Sequence, residues 1–226
     1  MKNTVSKTTY LSGILSILIL LLVSLFYRRL FGLPAIINES IFIWSRIFIW
    51  LVVLFAYFYA VKIEKQSLII WEEKKYSFLK TVVHILAIYG VVILAGIVVA
   101  ILQKLFKFQT KSARLETILN LFRPRYWLAL LTCLTAGITE ELIFRGYIQT
   151  RLMKLANNVW FGIIISAFLF ALFHLSYGTV GEFVGVFFIG IIFAYYYWKY
   201  RSLKTLMIVH FIVDTVSITL QLYHHK

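Results

Sequence analysis

Residues 139–146 read Thr139-Glu140-Glu141-Leu142-Ile143-Phe144-Arg145-Gly146, inside an apolar run that begins at Tyr126 and reaches about Ile148. Two adjacent glutamates in such a run are costly, because a carboxylate at membrane depth loses its hydration. On a helix Glu141 and Arg145 are four apart and share a face, so they can pair; Glu140 points about 100° away and has no built-in partner. The pattern allows a structural reading, a buried polar clamp between helices, and a chemical one in which Glu140 is held in reserve for work.

The surrounding composition decides the class. Hydrophobic residues fill 62% of the 226 positions and only 14% are charged, with a mean hydropathy of +0.88, which no soluble domain of this size would show. The chain therefore reads as all-α, a polytopic transmembrane helical bundle of about seven spans, with eight as the upper count. The formal net charge is +14, but the basic residues sit in short loops between apolar runs, where lysine and arginine set topology and meet anionic lipid. A lipid bilayer is thus the expected partner and nucleic acid is not. The single cysteine, Cys133, lies in an apolar run and reads as a small buried hydrophobe.

Working outward toward the N-terminus, apolar runs predict spans over Tyr10 to about Tyr27, Ile41 to Val61 and Thr81 to Leu102. The first has too long an apolar core for a cleaved leader and reads as a retained span. Arg46, near the entrance of the second, is expected to snorkel to the interface. Residues 62–80 mix charges and predict a solvated loop with a surface helix. His84 reads as a hydrogen-bonded interface residue. Ala113 to Phe122, with Leu115, Ile118, Leu119 and Phe122 at helical spacing, predicts an amphipathic helix lying on the bilayer. Residues 1–125 are thus expected to form N-terminal membrane helices with an interfacial segment, and 126–222 a second, chemistry-bearing helical core within one integral membrane domain.

Beyond the glutamates, a basic connection containing Arg151 and Lys154 leads to a fifth span, Trp160 to Tyr177, in which Phe170 and His174 share a stripe. The sixth, Val180 to Trp198, offers Gly181, Gly185 and Gly190 for close packing and reads as scaffold despite Glu182 at its entrance. The seventh, Leu203 to Leu220, sets His210 and Asp214, the only aspartate, one turn apart. At ~1.5 Å per residue Glu140 lies about 12 Å in from Ile148, His210 about 10 Å in from Leu203 and His174 about 21 Å in from Trp160, so the fifth helix must tilt, begin inside the bilayer or line a funnel if the three are to meet. Loop charges number twelve on the N-terminal side against nine on the other, which puts the N-terminus in the cytoplasm. The short chain and lysine-rich loops fit a bacterial plasma membrane.

Glu140-Glu141-x-x-x-Arg145, Phe170-x-x-x-His174 and His210-x-x-x-Asp214, in that order on three late helices, resemble the three motifs of the CAAX-processing and bacteriocin-processing (CPBP, or Abi) family of intramembrane endopeptidases, over about residues 126 to 220. The resemblance implies that Glu140 activates a water, Glu141 and Arg145 brace it, His174 binds or polarises the water, and His210 with Asp214 stabilises the tetrahedral oxyanion. Many members carry asparagine where this chain has Asp214, and an ionised aspartate cannot donate to an oxyanion. The implied partner is a membrane-associated peptide or protein substrate: a prenylated CAAX protein, a secreted peptide precursor or a signalling peptide, with the prenylated class disfavoured in a bacterium. Oligomeric state is not legible.

The chemistry stands beside the resemblance. A carboxylate in an apolar cavity holds a proton more tightly than one in water, which suits general-base work. There is no His-Glu-x-x-His, no Gly-x-Ser, and one aspartate cannot make an intrachain dyad. No cofactor is expected. Zinc is the alternative, with His174, His210 and Glu140 as ligands, but each comes from a separate helix, whereas zinc sites commonly fix two ligands on one element. A non-catalytic immunity or scaffold protein of the same fold is a rival reading. A proton-coupled transporter is weaker, since no internal repeat is present.

Overall fold

In lipid every backbone polar group must be satisfied within its own segment, which makes helices of long apolar runs. The computed structural model describes residues 5–30, 37–108 and 112–224, and among them there is helix and no strand. The helices are α1 (Lys7–Leu30), α2 (Glu39–Phe58, prolonged by a π turn over Tyr59–Ile63), α3 (Phe78–Phe106), α4 (Ala113–Phe122), α5 (Tyr126–Glu140), α6 (Thr150–Ala156), α7 (Val159–His174), α8 (Val180–Tyr200) and α9 (Leu203–His224). A π-helical stretch, Glu141–Gln149, joins α5 to α6 without a break. Six helical segments are long and apolar enough to cross a membrane, and α7 is a shorter apolar helix. The chain is a polytopic helical bundle.

Local chemistry sets the helix ends. Asn38, Ser112, Asn158 and Thr179 each accept a backbone N–H of the first turn that follows, of α2, α4, α7 and α8, which satisfies one of the donors a helix start leaves open. The turn from α6 to α7 passes through Asn157 in the left-handed region, φ 50°, where asparagine is among the few tolerated side chains. After α7 a single 3₁₀ turn, Leu175–Tyr177, leads to Gly178 at φ 94°.

Close backbone approach fixes the helices that carry the polar motifs. A Cβ on Gly137 would stand 3.0 Å from the Met207 carbonyl oxygen and 3.1 Å from the Phe211 nitrogen, so α9 lies directly against α5. Gly190 does the same for α8 on α7, where a Cβ would meet Ala167 at 3.1 Å; of the small-residue stripe on the sixth span, this is the tightest contact. Ile14, Ile17 and Leu21 of α1 and Val52 and Ala56 of α2 share one core with Ile143, Phe144, Tyr147 and Ile148.

Several sequence expectations change here. The fourth span does not end near Ile148 but runs to Ala156, 31 residues in all. Residues 64–77 carry no surface helix; the segment is irregular and folds in against the bundle. Glu64, read as a loop charge, is buried and bonded to Arg151, read as a basic connection and in fact fully buried. Arg151 also donates to the Ser67 and Leu68 carbonyls, Glu73 accepts the Leu203 N–H at the start of α9, and Lys74 N–H donates to the Arg201 carbonyl. That segment therefore staples one end of the bundle. The amphipathic helix exists over the expected residues, but its apolar face, with Ile118, Leu119 and Phe122 buried, packs inward.

The longer fourth helix removes the depth conflict. Counted from the α6–α7 turn at Asn157 and Asn158, Glu140 is seventeen residues back and His174 sixteen residues on, so the two rise to nearly the same height. The start of α9, with Leu203 buried beside Gly146, sits well inside the end of α6. His210 needs only two turns to reach the same level.

Candidate active site

All six candidate side chains converge. Arg145 Nη1 pairs with Glu141 Oε1 at 3.1 Å, and both side chains are essentially without exposure, 1% and 0%. The pair survives in the π-helical stretch and is fixed further by Arg145 Nη2 donating to the Gly190 carbonyl at 3.4 Å. The guanidinium carbon lies 4.4 Å from the Phe170 ring centroid and 5.4 Å from that of Phe193, a sandwich in which ring faces attract the cation. Glu141 is thereby held.

The same Glu141 Oε1 stands 2.8 Å from His210 Nδ1. A carboxylate paired with arginine offers acceptors only, so the proton of this bond belongs to Nδ1. His174 is fixed by the same logic, because its Nδ1 is 2.9 Å from the Phe170 carbonyl oxygen, which can only accept. Both rings are left with Nε2 turned toward Glu140: His210 Nε2 is 3.8 Å and His174 Nε2 4.0 Å from Glu140 Oε2. Asp214 Oδ2 lies 3.4 Å from His210 Nε2. Glu140 Oε2 is buried and has no hydrogen-bond partner. Such an atom, facing two imidazoles, is set up to hold a small polar molecule.

A cavity of about 200 Å³ opens on this cluster. Glu140, His174, His210 and Asp214 line it, whereas Glu141 and Arg145 stand behind the wall. One end is the Glu140–His174–His210 cluster; the other, formed by α4, the start of α2 and the last turns of α9, carries Phe42, Leu115, Phe122 and Ile218. The cavity thus lies at the end of the bundle away from the stapling segment 64–77. Two residues that sequence reasoning set aside also line it. Arg46, expected to snorkel, and Glu182, expected to sit on a scaffold helix, both face the cavity, and the signal that could have flagged them was only that each is an ionisable group within an apolar helix. Phe193, which had no signal beyond its aromatic character, packs on both Arg145 and His210. His84 behaves as expected, with Nδ1 2.7 Å from the Tyr196 hydroxyl.

Among the described residues no three His, Cys, Asp or Glu side chains form a group that could hold a metal ion. Two donors at about 2.0–2.1 Å from one tetrahedral zinc would stand about 3.3 Å apart, less than the distances from Glu140 to either imidazole.

With the cluster in view, a comparison by family becomes informative. Residues 122–216 match the type II CAAX prenyl endopeptidase Rce1-like family. The Rce1-like segment begins at the last residue of α4 and ends two residues after Asp214, so all six candidate side chains fall within it. The match is to a protease family and agrees with the resemblance carried by the three motifs. No curated protein and no solved structure matches the chain.

Proposed function

We propose that the chain is an intramembrane endopeptidase that hydrolyses a peptide bond of a membrane-associated substrate with a water activated by Glu140. The observation that carries this reading is the buried, unpartnered Glu140 Oε2 facing His174 Nε2 and His210 Nε2 across a cavity. Two hydrogen bonds of about 2.8 Å meeting tetrahedrally at one water span about 4.5 Å; the separations of 3.8 and 4.0 Å fall about half an ångström short of that, a gap that a small side-chain rotation closes.

In this mechanism Glu140 takes a proton from the water as the oxygen attacks the scissile carbonyl carbon, and returns that proton to the amine nitrogen as the C–N bond breaks. His174 accepts a hydrogen bond from the water through Nε2. His210 faces the developing oxyanion, and since its Nδ1 proton is committed to Glu141, stabilisation requires a second proton at Nε2, next to Asp214. Asp214 then supports a donor rather than acting as one, which accounts for an aspartate at a position where an amide could donate directly. Glu141 and Arg145 hold His210 in place from behind.

The catalytic reading needs no metal. Metal analysis of active protein, with chelation and readdition, checks this: stoichiometric zinc whose removal stops cleavage and whose return restores it would assign Glu140 and both histidines to the metal instead. The main test is purified protein on peptide substrates, wild type against Glu140→Gln; equal turnover would leave the non-catalytic scaffold reading in possession. As substrates we propose the precursors of secreted peptides at a bacterial plasma membrane. An N-terminus in the cytoplasm would put the cavity end, opposite to it in this bundle, on the outer side. Thiol labelling of Asn120→Cys and Lys65→Cys variants in intact and permeabilised cells reads that orientation, because the native Cys133 is buried.

A further inference from the structure

Among the described residues, the cavity is lined by a single basic side chain apart from its two histidines, Arg46. Its surroundings differ from those of three other arginines, Arg125, Arg145 and Arg151. Arg145 and Arg151 each pair with a glutamate, and Arg125 pairs with Glu39 at the interface; among the described residues Arg46 pairs with none. Its Nε donates to Ser45 Oγ at 3.2 Å and its guanidinium carbon lies 5.3 Å from the Phe42 ring centroid. Half-buried, Arg46 forms no ion pair among the described residues with any of the three carboxylates that line the same cavity, Glu140, Glu182 and Asp214, so its guanidinium keeps unmet hydrogen-bonding capacity toward the cavity, and a charge drawn from water is tolerated chiefly when it is paired.

Helix register places this charge relative to the chemistry. α2 and α5 run parallel, with Glu39 beside Arg125 at their starts and Val52 and Ala56 beside Ile143 and Phe144 further along. Arg46 therefore stands level with Thr132, two helical turns or about 12 Å along the axis from Glu140. Thr132, Ser217 and Gln221 line the same end of the cavity. Asp214 lies near the same level, since α5 and α9 pair Tyr126 with Thr219 and Gly137 with Phe211, so Arg46 stands as the arginine among carboxylates and neutral hydrogen-bonding groups, and it is the group there that matches an oxyanion carried by an apolar peptide.

We propose that Arg46 anchors a carboxylate of the substrate, and so sets which peptides enter and how far from that carboxylate they are cut. An extended peptide rises about 3.3 Å per residue, so the anchored group lies within a few residues of the reacting carbonyl. The carboxylate can come from a free chain end or from an acidic side chain, and arginine meets either one through two parallel N–H···O bonds. The assignment rests on the endopeptidase reading for its purpose, but its binding chemistry can be measured without turnover.

The experiment uses the full chain carrying Glu140→Gln, in nanodiscs of phosphatidylcholine, with three fluorescent apolar hexapeptides: one with a free C-terminus, its C-terminal amide, and the amide with glutamate as last residue. Fluorescence anisotropy should show one of the two carboxylate-bearing peptides binding about tenfold more tightly than the plain amide. Adding Arg46→Gln should erase that preference and leave amide binding unchanged, and Arg46→Lys should keep part of it, since the charge remains and the fork does not. Whichever carboxylate peptide shows the effect identifies the source. Equal binding of all three to the Glu140→Gln protein overturns the assignment before any change at Arg46, and so does an equal loss for all three on Arg46→Gln, the behaviour of a residue that serves lipid or structure. Turnover by the wild-type chain is measured in parallel: a carboxylate preference without cleavage would sink the protease reading and leave the anchor standing, and cleavage without the preference would do the reverse.

Discussion

Among the described residues there are two buried glutamate–arginine pairs, and they are built to different ends. At the stapled end Glu64 is saturated: Oε1 accepts from the Tyr147 hydroxyl at 2.6 Å, and Oε2 accepts from Arg151 Nε and Nη2 at 3.1 and 2.7 Å. Arg151 directs its remaining donors to the Ser67, Leu68 and Gly146 carbonyls and the Thr150 hydroxyl, and its guanidinium carbon lies 4.1 Å from the Tyr147 ring centroid. At the cavity end Glu141 Oε1 is shared between Arg145 and His210, while Glu141 Oε2 and Glu140 Oε2 are buried without partners. Unmet hydrogen-bonding capacity in a low-dielectric interior is costly. On the proposed function, the completed cluster holds the chain together and the open one receives an incoming molecule.

Breaking the open cluster at its free carboxylate should give the largest functional effect. Glu140→Gln keeps the shape and cannot take a proton, so peptide cleavage should fall by about 10²–10⁴-fold, with yield and melting temperature of the purified protein unchanged. Retained cleavage would mean that the unpartnered oxygen has no catalytic use.

Both buried pairs should respond in stability. Glu64→Gln and Arg145→Ala each strand or remove one member of a buried ion pair, at about 3–5 kcal/mol, read as lower yield and earlier thermal unfolding in detergent. Only Arg145→Ala should also disturb the cluster, through Glu141 and His210. The sharper form of the comparison replaces Glu64, Arg151 and Tyr147 together with leucine, methionine and phenylalanine; an apolar substitute of similar volume can restore most of a buried pair's contribution, and cleavage should survive. If the triple variant loses activity while staying folded, the stapling cluster has a part in the chemistry.

Gly137→Ala tests how α9 is held. Its methyl would press on α9 backbone near Met207 and Phe211, moving His210 relative to Glu141, and overpacking of this sort costs about 1–3 kcal/mol. Cleavage should drop more than the melting temperature suggests. The smallest effect is expected from Asp214→Asn, whose side chain is a third exposed; an amide can accept from His210 or donate to the oxyanion itself, so kcat/KM should stay within about threefold. A large loss would assign the carboxylate a role that an amide cannot fill.

What could be read without the fold follows from rules of local range. Charged residues are rare in this chain, so Glu140, Glu141, Arg145, His174, His210 and Asp214 stood out against their apolar runs, and i,i+4 spacing alone paired Glu141 with Arg145. The same local rules misread Glu64 and Arg151 as loop charges. Each lies in a charged, mixed stretch, and the bond that buries them spans 87 positions, a separation over which no periodicity operates. Helix α4 shows the limit from the other side: its amphipathic spacing was legible, but whether the apolar face meets lipid or protein depends on what stands opposite.

The sequence by itself determined the class, the helices and the identity of the six polar side chains, because membrane depth penalises every charge and every open backbone group, and those penalties act residue by residue. Only the tertiary structure decided that Glu140 faces two imidazole nitrogens, that Arg46 and Glu182 share its cavity, and that Glu64 closes on Arg151. Those outcomes depend on helix length and close approach, on the fourth helix running to Ala156 and on Gly137 letting α9 lie against α5. Distances between side chains on separate helices are set by packing, and packing is a property of the whole bundle.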